Sequence, residues 1–203
     1  MSYVEMIMFA PRIWGFDRDD AEMRIALASN WSRADLVWER LTEAAHEAFS
    51  GGDLRRTGRL LVGADWIARL FFDADDLRRA NTAANRALLA RRKGQRLRAE
   101  AYQMRALALW RGAGARIDRL EFRPRSRSSL FHLRMEALHR DQFHANMRTR
   151  YSRIADETEQ ALRQLTERAP SARPFFARWR AEKPPVFDDS RKFLAAALAL
   201  IDG

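Results

Sequence analysis

Cysteine is absent from the chain, which excludes disulfides, thiolate nucleophiles and cysteine-ligated metal sites and is compatible with a reducing compartment. Glycine (9) and proline (6) are few among 203 residues and fall in clusters, and valine, isoleucine and threonine are rare. Strands draw on those β-branched residues, whereas the abundant Ala, Leu, Arg and Glu favour helices. Long apolar runs are missing too. The longest is FLAAALALI at 193–201, nine residues, against the roughly 20 that cross a bilayer. The first ten residues, MSYVEMIMFA, have no basic lead-in and contain Glu5, so they do not read as a secretory leader. Together these absences predict a soluble, cytoplasmic, all-α protein with no membrane partner.

What is present is core-forming material and positive charge. Hydrophobic residues supply 47% of the chain, enough to bury a sizeable core. The net charge is +10, carried by 34 arginines and only 3 lysines against 27 acidic residues. Its distribution is uneven. Residues 1–76 sum to −5, residues 77–153 to +15, and residues 154–203 to zero. The expectation is that the cationic middle third coats the outside of paired helices and that no polar cluster is sealed within.

Helix signals punctuate the chain. YVEMIMFAPRIWGF at 3–16 reads as an apolar tail, followed by a short helix near 18–29. Ser32 with Asp35 three residues on predicts an N-capped helix over 33–50, burying Val37, Trp38, Leu41, Ala44, Ala45, Ala48 and Phe49. Gly51-Gly52 ends it and Asp53 caps a helix over 53–72, whose Leu60, Leu61, Ala64, Ile67, Ala68 and Phe71 follow helical spacing. A helix over 75–92 presents Ala80, Ala83, Ala84 and Ala87. The next, over 95–112, is expected to bury Leu97, Ala101, Met104, Leu107 and Ala108. RGAG frays its end and IDRLEF adds a turn. Residues 128–169 contain neither glycine nor proline, which predicts one long helix near 128–169, or two joined without a conventional stop. Residues 1–169 thus read as one helical domain opening with an apolar tail. Residues 170–203 read as a Pro-rich loop or arm plus a short apolar helix, docked on the chain itself, with docking on a partner or a homodimer through this C-terminal segment as the alternatives. The architecture is an array or bundle of antiparallel helical hairpins.

The hairpin formed by helices 33–50 and 53–72 resembles a tetratricopeptide repeat, a helix-turn-helix unit that stacks into protein-binding solenoids. The positions of that repeat fall on Leu41, Ala44, Ala45 and Ala48, then Thr57, Leu61 and Ala64, with Gly52-Asp53 at the turn. The small residues fit at Ala45 and Ala64, while Ala44 and Ala48 stand where the family has larger ones. A second unit has Gly94 at its turn, 42 residues on, against about 34 in that repeat. The resemblance implies a scaffold or adaptor rather than an enzyme.

Residues able to carry chemistry form two groups. Glu43 and His46 share the Glu-x-x-His spacing that di-metal carboxylate bundles use, as do Glu136 and His139, with His132 on the same stripe and Glu100 able to add a carboxylate. The helical wheel places Glu43 and His46, with Glu39 and Glu47, opposite Leu41, Ala45 and Ala48, on the wet face. The second group is cationic: Arg91, Arg92, Lys93, Arg96 and Arg98 at one hairpin turn, then Arg123, Arg125, Arg127, Arg134, Arg140, Arg148 and Arg150. Arginine forks suit carboxylates and phosphates alike. Phe143, Met147, Tyr151 and Ile154 share one helical face and read as core. No nucleotide-binding glycine loop or serine-nucleophile motif occurs, so no cofactor is implied. The leading reading is a non-enzymatic scaffold that binds an acidic protein partner through its arginine-rich face. Nucleic-acid binding through the same face and a di-metal oxidoreductase are the alternatives.

Overall fold

The computed structural model describes residues 20–122, 137–165, 167, 175–183 and 186–201, and among these no strand occurs. The helices are α1 (Ala21–Ala28), α2 (Arg33–Ser50), α3 (Leu54–Phe71), α4 (Leu77–Arg92), α5 (Arg96–Trp110), α6 (Ala113–Arg119), α7 (Ala137–Arg163), α8 (Phe175–Glu182) and α9 (Asp189–Leu198). The all-α expectation is met. No described helix is long and apolar enough to cross a membrane.

Caps and turns explain the boundaries. Ser32 and Asp35 close a capping box at α2, and Asp53, Asp76 and Asp188 each accept from a backbone N–H in the first turn of α3, α4 and α9. The hairpins α2–α3 and α4–α5 turn in the same way. Gly52 (φ 78°) and Gly94 (φ 70°) take the left-handed conformation that ends a helix. Asp53 N–H then reaches back to Ala48 C=O, and Gln95 N–H to Ala90 C=O, both at 2.9 Å. Helix α3 packs on α4, so the hairpins lie side by side.

Helix α9 occupies the middle of the molecule, against α4, α7 and α8. Every residue from Phe193 to Ile201 is buried. The alanine face of α4 at Ala80, Ala83, Ala84 and Ala87 is buried as expected, and its small side chains let α9 come close. A buried helix end must have its carbonyls satisfied by protein. Asn81 Nδ2 donates to Ala195, Ala196 and Ala199 C=O at 3.3, 3.2 and 3.0 Å. Asn85 Nδ2 donates to Ala199 C=O at 3.0 Å, and its Oδ1 accepts from Ile201 N–H at 2.8 Å. The end of α7 is closed similarly: Gln103 Nε2 donates to Leu162 and Arg163 C=O at 2.9 and 2.8 Å, and Arg91 to Leu165 C=O at 2.9 Å.

The expectation that no polar cluster lies within is overturned. Glu39 and Arg191 form an ion pair with both side chains 3% exposed, and the guanidinium lies 4.1 Å from the Phe187 ring centroid and 5.2 Å from that of Trp31. Lys183 joins through Glu39 at 2.7 Å and Glu43 at 2.6 Å. Burial pulls the Lys183 ammonium down, but the two carboxylates more than offset it and hold it above its usual value. A second cluster pairs Arg78 with Asp35 and Asp76, over the Phe72 ring at 3.5 Å. Burial pushes the Asp35 carboxyl up, but Arg78, Lys192 and the Ser32 amide more than offset it and hold it below the usual carboxylate range.

Other expectations need correction. Residues 175–182, read as part of a loop or arm, form α8, and its Trp179 is fully buried. On α5 most of the predicted face points outward: Leu97 is 82% and Met104 65% exposed, Ala101 and Ala108 are exposed too, Leu107 alone of that set packs partly on the core, and Ala99, Gln103, Ala106 and Trp110 are buried instead. The cause is that α4 and α7 pack on the Gln103 side of α5. Phe71 is exposed and Ala44 half-buried. The long helix is present as α7 over 137–163, and residues 123–136 lie outside the described ones. Phe143 and Met147 pack on the core, and Tyr151 and Ile154 are in it.

Breaking a buried pair by removing one charge leaves the other uncompensated. Glu39→Gln is expected to lower stability by about 3–5 kcal/mol in urea titrations, and Glu39→Leu combined with Arg191→Met to recover most of that loss. Asn85→Ala strands the Ile201 N–H and is expected to cost about 1–3 kcal/mol in the same assay.

Candidate partner-binding groove

On α3 a row at i, i+4, i+7, i+11 and i+15, namely Arg55, Arg59, Val62, Trp66 and Leu70, faces a groove completed by α4 and α5. This row lies beside the buried stripe of Leu60, Leu61, Ala64, Ile67 and Ala68. The second half of α3 is therefore apolar on two faces, and only one is covered by the fold. Leu89 and Ala90 of α4, together with Leu61 and Ile67, form the floor, and Tyr102 of α5 closes the far side. The cavity measures about 1150 Å³ and is open to solvent. Val62, Trp66 and Leu70 are each nearly half-exposed. Among the described tryptophans, Trp66 is the exposed one.

Charge in the groove is polarised. Helices α3 and α4 run antiparallel, so the start of α3 meets the end of α4. Lys93 Nζ lies 3.4 Å from where a side chain at Gly58 would begin. Arg55, Arg59, Lys93 and Arg98 therefore gather at one mouth of the groove. Further along, Arg86 is tied down: it pairs with Asp65 and its guanidinium carbon lies 4.5 Å from the Tyr102 ring centroid. Beyond it the lining is Trp66 and Leu70.

The structure distributes the sequence-predicted cations differently from a single face. Lys93 and Arg98 line the groove. Arg92 is exposed at the turn. Arg96 is exposed and bonded to Glu100 at 2.9 Å. Arg91 is turned inward to the end of α7. Arg140 and Arg148 are exposed on α7, and Arg150 pairs with Glu182. Residue 150 precedes Leu165, which Arg91 touches, by 15 positions. That is about 22 Å along a helix, so the α7 arginines and the 91–98 turn are separate patches. Arg123, Arg125, Arg127 and Arg134 lie outside the described residues.

The described metal candidates are not brought together. Among the described residues no three His, Asp or Glu side chains cluster as a metal would need. Glu43 is held by Lys183, Glu100 by Arg96, and His139 is exposed. His132 and Glu136 lie outside the described residues. His46 is buried rather than wet, and Glu39 with it, because α8 and α9 cover that side of α2 through Arg180–Glu47, Lys183–Glu43 and Arg191–Glu39. Arg55, Arg59, Val62, Trp66, Leu70 and Tyr102 escaped the sequence reading. The signal for Val62, Trp66 and Leu70 was the width of the apolar surface on α3, too broad for one contact.

No protein-family model, curated protein or solved structure matches the chain.

Burial, with the Arg180 charge nearby, pushes the His46 imidazole down to about 4 from 6.5. Between those values the unfolded chain takes up a proton that the folded chain refuses, so stability falls as pH drops through that window. Melting temperatures at pH 7.5, 6 and 5 are expected to show a smaller acid loss in His46→Gln than in the parent.

Proposed function

We propose that the chain is a non-enzymatic helical scaffold of repeat-like, tetratricopeptide-like hairpins that binds an acidic protein partner at the cationic mouth of the α3–α4–α5 groove, in a cytoplasmic setting. One observation carries this reading: Arg55, Arg59, Lys93 and Arg98, drawn from three elements, converge beside an apolar floor. Opposed charge steers encounter, and the apolar floor supplies the affinity that exposed ion pairs alone do not. The same cations could take phosphates. The floor, however, is mainly aliphatic, and its aromatic rings are Trp66 and Tyr102, the latter already under Arg86. Sequence-independent binding of single strands uses successive stacking platforms. A dimer through the C-terminal helix is not part of the proposal, since α9 is spent on the chain's own core.

The test is fluorescence-detected binding of labelled poly-glutamate at rising salt, against the parent, Arg59→Glu/Lys93→Glu and Arg140→Glu/Arg148→Glu. The expected result is binding that weakens steeply with salt, falls at least tenfold in the groove variant, and is little changed in the α7 variant. Equal loss in both variants defeats the assignment to the groove. Tighter, groove-dependent retention of single-stranded RNA moves the site to nucleic acid.

A further inference from the structure

The reading above names a charge class for the partner; the groove narrows its shape. Resting on that reading, we infer that the occupant is a single amphipathic α-helix of the partner, apolar along one side and acidic at one end, lying lengthwise between α3 and α5.

Length comes first. From Arg55 to Leu70 the lined stretch of α3 spans 15 residue steps, about 22 Å, which is the length of a four-turn helix. Backbone chemistry comes next. Apart from the turn at Lys93 and Gln95, the walls of the groove are helices, whose interior N–H and C=O groups are paired internally. An extended peptide would find no strand edge to bond with and would lay unpaired backbone on an apolar floor, whereas a helix satisfies its own backbone and offers only side chains. Openness is the third argument. An acyl chain with an anionic head also matches a groove that is cationic at one end and apolar at the other. With Val62, Trp66 and Leu70 each nearly half-exposed, however, the trough would leave one side of such a chain in water. An amphipathic helix covers the trough and turns its polar face outward.

The charge pattern sets where the occupant's acids lie. Arg55, Arg59, Lys93 and Arg98 sit at one mouth, while Arg86 further in is already matched by Asp65. Acidic residues are therefore wanted in one terminal turn, with leucine-like side chains over Val62, Trp66 and Leu70. Gly58, on the wall of α3, lets Lys93 and Leu89 come close at the mouth. A side chain there would begin 3.4 Å from Lys93 Nζ and 3.6 Å from Leu89 Cδ2. Glycine inside a helix costs stability, and here it accommodates the Lys93 side chain against α3, so that bulk added at this position would be felt at the mouth.

The experiment uses the full chain and capped 15-residue labelled peptides of Leu, Ala, Gln and Glu. One places leucines at helical spacing with three glutamates in a terminal turn. A second has the same composition scrambled so that no face is apolar. A third replaces the glutamates by lysine. Anisotropy gives affinity, and acrylamide quenching of Trp66, with Trp66→Phe as the blank, reports occupancy of the groove. The expected result is that the amphipathic acidic peptide binds at least tenfold tighter than either control and shields Trp66. Gly58→Leu, which plugs the mouth without altering charge, is expected to weaken it at least tenfold, and Trp66→Ala to weaken it as well; far-ultraviolet melts verify that both variants fold. Equal, salt-sensitive binding of the first two peptides overturns the helix while leaving an acidic partner in place. Failure of all acidic probes, poly-glutamate included, at low salt removes both. Tighter binding of oleate or of single-stranded RNA at the groove overturns the inference in favour of that ligand.

Discussion

The end of α9 is surrounded by protein, and its last carbonyls have no water to turn to. The way α4 and α9 meet follows from satisfying them. Asn81 and Asn85 stand one turn apart on α4 and hold the α9 terminus by both donors and an acceptor. That arrangement requires α4 to present amides among alanines and to lie close to α9. It also fixes the rotation of α4, which determines the face that α3 and α5 can share. At the other end of α9, Arg191 in its first turn ties α9 to Glu39 of α2. The positions of the two hairpins thus depend on one buried helix and the polar groups that anchor it.

Much of the local structure was legible in the residues. Ser32 with Asp35, Asp53, Asp76, and the glycines at 52 and 94 mark boundaries because capping and left-handed turns depend on the residues at hand. The alanine stripe of α4 was readable for the same reason. What was not readable depended on neighbours. Leu97 and Met104 look like core and lie outside, since α5 buries the side that carries Gln103, whose amide closes the end of α7. Glu39 and His46 look wet and lie inside, since α8 and α9 return from more than a hundred residues away to cover them. A helical wheel divides a helix into two faces, whereas α2, α3 and α5 each have three.

The site shows the same division. Lys93 and Arg98 were visible as members of a basic run, but the residues that give them an apolar floor were not, because the groove is made between helices. The arginine count alone suggested one continuous face. Several of those arginines serve the fold: Arg78 and Arg191 inside it, Arg91 at a helix end, Arg150 in an ion pair with Glu182. Net charge is therefore a poor guide to where a ligand would meet this protein, and the few cations at the groove mouth are more informative than the total.

The contacts that anchor α9 also order the assembly of the chain in time. Each hairpin closes over a turn of a few residues, while Asn81 to Ala199 and Glu39 to Arg191 join positions 118 and 152 apart. Closing such spans costs more chain entropy and is slower than zipping a local hairpin. The paired helices therefore form ahead of the centre they enclose. Until α9 arrives, the alanine face of α4 and the inner side of α2 stand open to solvent. That half-built species is the one that would stick to its neighbours, and a helper that shields a flat alanine seam would act at that moment rather than on the finished molecule.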